Sequence, residues 1–294
     1  MNLDRFIQEQ TMIVDAALHR WVPPEATLPE TIHKAMRYSL FAGGKRIRPL
    51  LCIATAQAIS DDLEGIENAA ITLEMIHTYS LIHDDLPALD NDDLRRGRPT
   101  NHKVFGDAIA ILAGDSLLTL AFEVLARLPG VGDACKVRLI GELAVASGTA
   151  GGMIAGQVHD IEGERQTPTP ELLARIHRAK TGALLRASVR MGAIYAGASD
   201  AQYQALSLYG EHTGLAFQII DDVLDVEQPS ELLGKTAGKD QAQQKITFPA
   251  VYGLAKSKEM AESERVAAHA AVESFGERAH WLRGIADLVV QRNS

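Results

Sequence analysis

The chain has 294 residues, 46% of them hydrophobic, and a formal net charge of −9. That negative balance excludes nonspecific nucleic-acid binding, which needs basic side chains to release counterions from a phosphate backbone, so any anions it binds are small. Its two cysteines, Cys52 and Cys135, sit in apolar helical contexts without metal-ligand spacing and read as reduced core thiols.

Hydrophobic periodicity near 3.6 predicts helices over Ile66 to His83, Asp107 to Leu128, Val137 to Ile154, Leu172 to Ala196 and Ala201 to Val226. Breakers fall between these runs or outside them, at Pro23-Pro24, Pro29, Gly43-Gly44, Pro129-Gly130, Pro168 to Pro170 and Pro229. Strand signals are nearly absent, so an all-α fold is expected. No linker or shift in composition divides the chain, which predicts one domain over 1–294. There is no basic leader with a hydrophobic core at the start, and no uninterrupted run of 18 apolar residues. The expectation is a cytoplasmic protein without stable membrane insertion.

Two aspartate clusters interrupt this apolar helical sequence: Asp84-Asp85 with Asp90 in HDDLPALD, and Asp221-Asp222 with Asp225 in IIDDVLD. Crowded carboxylates that lose hydration need a compensating cation, most simply a divalent metal. At about 100° per residue, Asp221 and Asp225 lie roughly 40° apart, with Asp222 about 60° from Asp225 and Gln218 between them. Pro87 should end the first helix and leave Asp90 on a loop curling back to the helix end. All-oxygen donors favour Mg²⁺ or Mn²⁺, and Mg²⁺ is commonly shared with substrate phosphates. A single DDxxD is more often a solvated acidic turn; two of them in apolar flanks point to one shared metal site and a phosphorylated ligand.

Cations complement the carboxylates. Gly43-Gly44-Lys45-Arg46-Ile47-Arg48-Pro49 reads as a short anion-binding turn, with the proline suited to opening the next helix. Arg95, Arg96 and Arg98 follow the first aspartates, and Lys180-Thr181-Gly182, Lys235, Lys239 and Lys245 lie in the C-terminal half. Each alone reads as a solvated charge. The segment from Arg265 to Ser294 carries no nameable chemistry, and its heptad-like apolar positions read as packing or partner contact.

Taken together, GGKRIRP, the two aspartate motifs, RRGRPTNHKVFG, LAGDSLL, KTG, FQIIDDVLD and LGKTAGKD resemble the short-chain trans-isoprenyl diphosphate synthases, especially bacterial farnesyl diphosphate synthases. The resemblance spans about residues 28 to 255. It implies the all-α isoprenoid synthase fold, a helical bundle around a central active-site cavity, and a homodimer. It also implies a 1′-4 condensation: an allylic diphosphate ionises, isopentenyl diphosphate attacks the cation, and a proton leaves. By the same resemblance Asp84, Asp85, Asp90, Asp221, Asp222 and Asp225 hold Mg²⁺, about three ions per site with Mn²⁺ as a substitute. Lys45, Arg48, His77 and Arg96 bind isopentenyl diphosphate, although a core histidine is the plainer reading of His77 by itself. Arg95, Lys180, Lys235 and Lys245 bind the allylic diphosphate, and Thr181 and Gln218 turn oxygen dipoles toward the carbocation.

Chain length in the resembled family follows the residue five positions before the first aspartate, here Tyr79, with small Ser80 beside it. A tyrosine at that depth favours a C15 product, farnesyl diphosphate, from dimethylallyl and geranyl diphosphates. An ideal wheel nevertheless puts Tyr79 about 140° from Asp84, leaving a tyrosine packed between helices as the alternative. Asn91, where many bacterial relatives carry another aspartate, keeps a C20 geranylgeranyl product open. A class I terpene cyclase would have no use for GGKRIRP, and a noncatalytic synthase subunit should have lost site residues that are retained here.

Overall fold

The computed structural model describes residues 2–163, 166–227 and 246–292. Their regular structure is helical apart from one short hairpin. In chain order the helices are α1 (Leu3–Trp21), α2 (Glu30–Leu40), α3 (Ile47–Ile59), α4 (Ile66–Asp84), α5 (Asn101–Phe105), α6 (Asp107–Ala126), α7 (Asp133–Ser147), α8 (Met153–Gly163), α9 (Pro170–His177), α10 (Ala183–Tyr195), α11 (Asp200–Glu227), α12 (Phe248–Tyr252), α13 (Leu254–Ala271) and α14 (His280–Gln291). The chain forms two compact units, Met1–Leu50 with Glu64–Ile140, and Leu51–Leu63 with Gly141–Ser294.

In the first unit α4 is the central element. From Ile66 to Ile82 most side chains are buried, polar ones included, so the helix is buried all round rather than on one face. It packs along α6 and comes close to it at Gly114, where an added Cβ would stand 2.2 Å from the His83 ring. Between α4 and α5 lies the hairpin, β1 (Leu94–Arg95) paired antiparallel with β2 (Arg98–Pro99). Arg96 and Gly97 have φ of 53° and 72°, the left-handed pair of a two-residue type I′ connection. Strands this short leave no alternating signature, which is why they escape a periodicity reading.

In the second unit α11 runs for 28 residues and meets α9, α12 and α13 around Leu173, Ile176, Ile219, Val223, Ile246 and Phe248. Two expected helices differ from the observed elements. Val137 to Ile154 is not continuous: α7 stops at Ser147 and α8 starts at Met153, with Gly151 between them at φ +77°. Leu172 to Ala196 is α9 and α10 joined by a π-helical turn, Arg178–Gly182. Gly156 of α8 faces that turn so closely that a Cβ would lie 2.1 Å from the Lys180 backbone nitrogen.

Candidate active site

The first aspartate cluster forms where α4 runs out. The chain folds back as Pro87 predicts: the Asp90 backbone N–H donates to the Asp84 carbonyl at 2.8 Å, and that of Asp92 to the Asp85 carbonyl at 3.2 Å. Asn91 takes a φ of 49° to close this loop. Asp85 is buried, and the Arg95 guanidinium from the hairpin sits on it, with Nε 3.0 Å from Oδ1 and a second, shorter contact from the same guanidinium. The same group lies 3.5 Å from Asp92 Oδ2. Burial raises the Asp85 carboxyl above its ordinary range, and Arg95 offsets part of that rise.

Four arginines gather around His77 on the same unit. Burial and then the charges of Arg48, Arg96, Arg95 and Arg46 hold its imidazole well below the usual pKa, so the ring is neutral at physiological pH. Arg48 is itself largely buried while Lys45 is exposed, and Arg96 donates to the Gly43 carbonyl. The structure thus brings together Arg48, His77 and Arg96 of the expected isopentenyl-binding set. Arg46 adds its charge to this field, but its guanidinium is spent elsewhere. Its φ of 50° turns it inward, where it donates to Asp15 at 3.0 Å, Glu74 at 2.8 Å and the Leu40 carbonyl at 2.9 Å. This cation of GGKRIRP is structural.

Tyr79 is 5% exposed, and its ring meets His83 edge-on at 5.6 Å. Its phenol is pushed up to about 12, first by burial and then by the charges of Asp84 and Asp115. The hydroxyl therefore lies in the field of Asp84 despite the wheel angle, because a long side chain reaches across the helix surface. Ser80 Oγ is occupied locally, donating to the His77 carbonyl at 2.9 Å.

The second cluster lies on α11, and its three aspartates differ. Asp222 is buried and accepts from Gln218 Nε2 at 2.8 Å and from the Phe248 N–H at 2.9 Å, with His177 Nε2 3.5 Å away. Asp225 is buried as well, whereas the Asp221 side chain is 45% exposed. His177 is lowered to about 4, mainly by burial. Lys180 and Thr181 ride on the π-helical turn, and Lys180 Nζ sits 2.5 Å from Asp160 Oδ2 of α8. Lys235, Lys239 and Lys245 lie outside the described residues.

A family model described as polyprenyl synthetase matches residues 29–278. The chain belongs to the polyprenyl synthetase family. It is 50% identical over 261 residues to a farnesyl diphosphate synthase of Geobacillus stearothermophilus, covering 88% of this chain and 87% of that one. It is also 45% identical over 296 residues to a chloroplastic geranylgeranyl pyrophosphate synthase of Capsicum annuum, covering 100% and 79%. Among solved structures it matches a geranyltransferase of Helicobacter pylori complexed with magnesium and isoprenyl diphosphate. The TM-score is 0.85 at 31% identity, over 98% of this chain and 95% of that chain. The fold is the all-α isoprenoid synthase fold, and the activity class is short-chain prenyl transfer.

For a member of this family, three placements were not legible from the motifs. Asp160 was missed, although an acidic residue inside the apolar helix GGMIAGQVHD is the same kind of signal as the aspartate clusters. His177, stacked on Phe248 at 5.1 Å, backs Asp222 and has no motif of its own. The C-terminal segment, read as chemically silent, is corrected at one position: Arg292 donates to Asp221 Oδ1 and to the Phe217 carbonyl. Among the described residues no three His, Cys, Asp or Glu side chains converge into a complete metal cage. The oxygen-only donor set, with Asp221 open to solvent, still suits Mg²⁺, which takes few protein carboxylates and fills its shell with water and phosphate oxygens.

Proposed function

We propose that the protein is a Mg²⁺-dependent farnesyl diphosphate synthase, condensing isopentenyl diphosphate with dimethylallyl and then geranyl diphosphate. The observation that carries the C15 product is buried Tyr79, wedged against His83 and in the field of Asp84. A five-residue separation along α4 is about 7.5 Å of rise, which sets the tyrosine ring below the first aspartates as a floor for the growing chain.

Asp84, Asp85, Asp90, Asp221, Asp222 and Asp225 are assigned to the Mg²⁺ centres, with the carboxylate of Asp222 held in place by Gln218 and the Phe248 N–H. When bound, Mg²⁺ neutralises the charge that develops on the leaving diphosphate. Arg95 and Lys180 bind the released diphosphate as direct cations, with Lys235 and Lys245 assigned to the same task. Lys45, Arg48, neutral His77 and Arg96 bind isopentenyl diphosphate, and a neutral imidazole there can donate one hydrogen bond without adding charge. Oxygen dipoles of Thr181 and Gln218 stabilise the allylic cation without capturing it. Apolar walls keep water from quenching the cation.

A C20 product is the second reading, favoured by small Ser80 and by the identity to a geranylgeranyl pyrophosphate synthase. We also assign a cytoplasmic homodimer. α6 is long and apolar enough to cross a membrane, yet 39% of that stretch is buried within the chain, and Ile111 and Leu112 are exposed on it. On α8, Ile154, Val158 and Ile161 form a second exposed stripe at helical spacing. A second copy covering such faces would account for both; size-exclusion chromatography with light scattering should give twice the 31.8 kDa chain mass.

The deciding experiment is incubation with Mg²⁺, labelled isopentenyl diphosphate and, separately, C5, C10 and C15 allylic primers, followed by chain-length analysis. Farnesol from the C5 and C10 primers with little use of C15 supports the proposal. Geranylgeraniol transfers it to the C20 reading, and no elongation at all defeats both.

A further inference from the structure

Arg292 follows the last turn of α14 and is held to one face of α11 by three contacts. Its guanidinium donates to the Phe217 carbonyl at 2.8 Å, donates to Asp221 Oδ1, and lies 3.9 Å from the centre of the Phe217 ring. Phe217 and Asp221 are one helical turn apart, so ring and carboxylate share that face. Its side chain is 9% exposed, against 45% for that of Asp221. Its Nε is buried and has no acceptor among the described residues.

These features separate Arg292 from an ordinary structural arginine. Arg46 in the first unit shows the ordinary case, with Nε and both terminal nitrogens spent on Asp15, Glu74 and a carbonyl. Arg292 instead leaves a donor unspent and places its charge on Asp221, more open to solvent than either of its cluster partners, Asp222 and Asp225. That is the carboxylate a cation arriving from solution reaches first. A guanidinium and a divalent ion cannot share its oxygen at close range without mutual repulsion.

We propose that Arg292 is a positioning residue of the second aspartate cluster: a resident cation that holds Asp221 in place and is displaced from it when a divalent cation binds. The Phe217 ring and carbonyl keep the displaced guanidinium beside the cluster. This inference rests on the assignment of Asp221 as a Mg²⁺ ligand, and the experiment separates the two.

Mn²⁺ serves as the probe, with no substrate present. Binding to metal-stripped, full-length protein is followed by the electron paramagnetic resonance signal of free Mn²⁺. Wild type is compared with R292A, R292Q, R292K, D221N and the double variant R292A/D221N; R292Q keeps an uncharged polar side chain and part of the aliphatic stem if R292A folds poorly. Removing the competitor should tighten Mn²⁺ binding about 5- to 10-fold in R292A and R292Q. R292K, which restores a competing charge, should return to near the wild-type affinity, and R292A should bring no gain in the D221N background. Unchanged or weaker Mn²⁺ binding by R292A and R292Q, with D221N still weakening it, overturns the role of Arg292 alone. D221N binding Mn²⁺ like wild type would overturn the ligand assignment of Asp221 and this inference with it.

Discussion

Arg95 and Asp85 form a two-pronged ion pair in which the carboxylate is 4% exposed and the arginine 25%. The pair links the hairpin to the end of α4, and the same Nη2 that meets Asp85 lies 3.5 Å from Asp92 Oδ2. A carboxylate at this depth is stable only with a cation on it. Replacing Arg95 with glutamine should therefore lower stability by about 2 to 3 kcal/mol in EDTA, near the low end for a buried pair because the arginine is partly solvated. Mg²⁺ should restore much of that loss by compensating Asp85 from the substrate side. Paired melting curves with EDTA and with Mg²⁺ check this, and a loss that Mg²⁺ leaves untouched would separate Asp85 from the metal site.

Tyr79 gives a prediction about product rather than stability. His83 lies over Gly114 and stands edge-on to the tyrosine ring, so the ring packs against a side chain that is itself seated on α6. Tyr79→Ala should open the space beneath the first aspartates and shift the product from C15 to C20 or longer. Tyr79→Phe keeps the ring and should keep C15. Chromatography of the dephosphorylated products distinguishes these outcomes, and an unchanged C15 profile in the alanine variant would remove Tyr79 as the floor.

The parts of the fold legible in sequence are those where one physical signal dominates. α4, α6 and α11 were bounded to within a residue or two because long apolar runs end at proline, glycine or a cap. Pro87 also gave the fold-back of Asp90. The hairpin was not legible, since four strand residues carry no periodicity, and neither was the π-helical turn, which preserves an apolar helical pattern while shifting its register. Within the candidate site, clustered carboxylates announced themselves through their apolar flanks. Arg292 could not, because its meaning comes from a carboxylate 71 positions away. The inward turn of Arg46 was hidden for the same reason: Glu74 is an unremarked acid in α4 until packing buries both partners.

Gly156 is predicted to be among the least replaceable positions. An alanine Cβ would meet Lys180 N at 2.1 Å and Cα at 2.4 Å, and backbone cannot rotate aside as a side-chain end can. Gly156→Ala should cost about 3 kcal/mol by overpacking. It should also move Lys180 away from Asp160 and so depress turnover in the fraction that remains folded. Urea denaturation gives the first quantity and steady-state rates the second; wild-type stability in the variant would mean that α8 shifts freely against the turn.

His77 makes stability depend on pH in a definite direction. Its native imidazole is held well below the ordinary range by burial and by the surrounding arginines. Unfolding returns the ring to a pKa near 6.5, so below that pH the unfolded chain binds a proton that the native state refuses. The contribution is intact above about pH 6.5 and is lost as pH falls toward the depressed native value, reaching about 1.4 kcal/mol at pH 5.5. His177, also depressed by burial, adds a loss of the same sign in every variant that retains it. Wild type should therefore lose more stability between pH 7.5 and 5.5 than His77→Gln, by roughly that single-histidine amount. Urea midpoints and slopes for both proteins at the two pH values provide the comparison. Parallel losses would mean that His77 is protonated in the native state despite the four guanidinium groups, and its assignment as a neutral hydrogen-bond donor to isopentenyl diphosphate would fall.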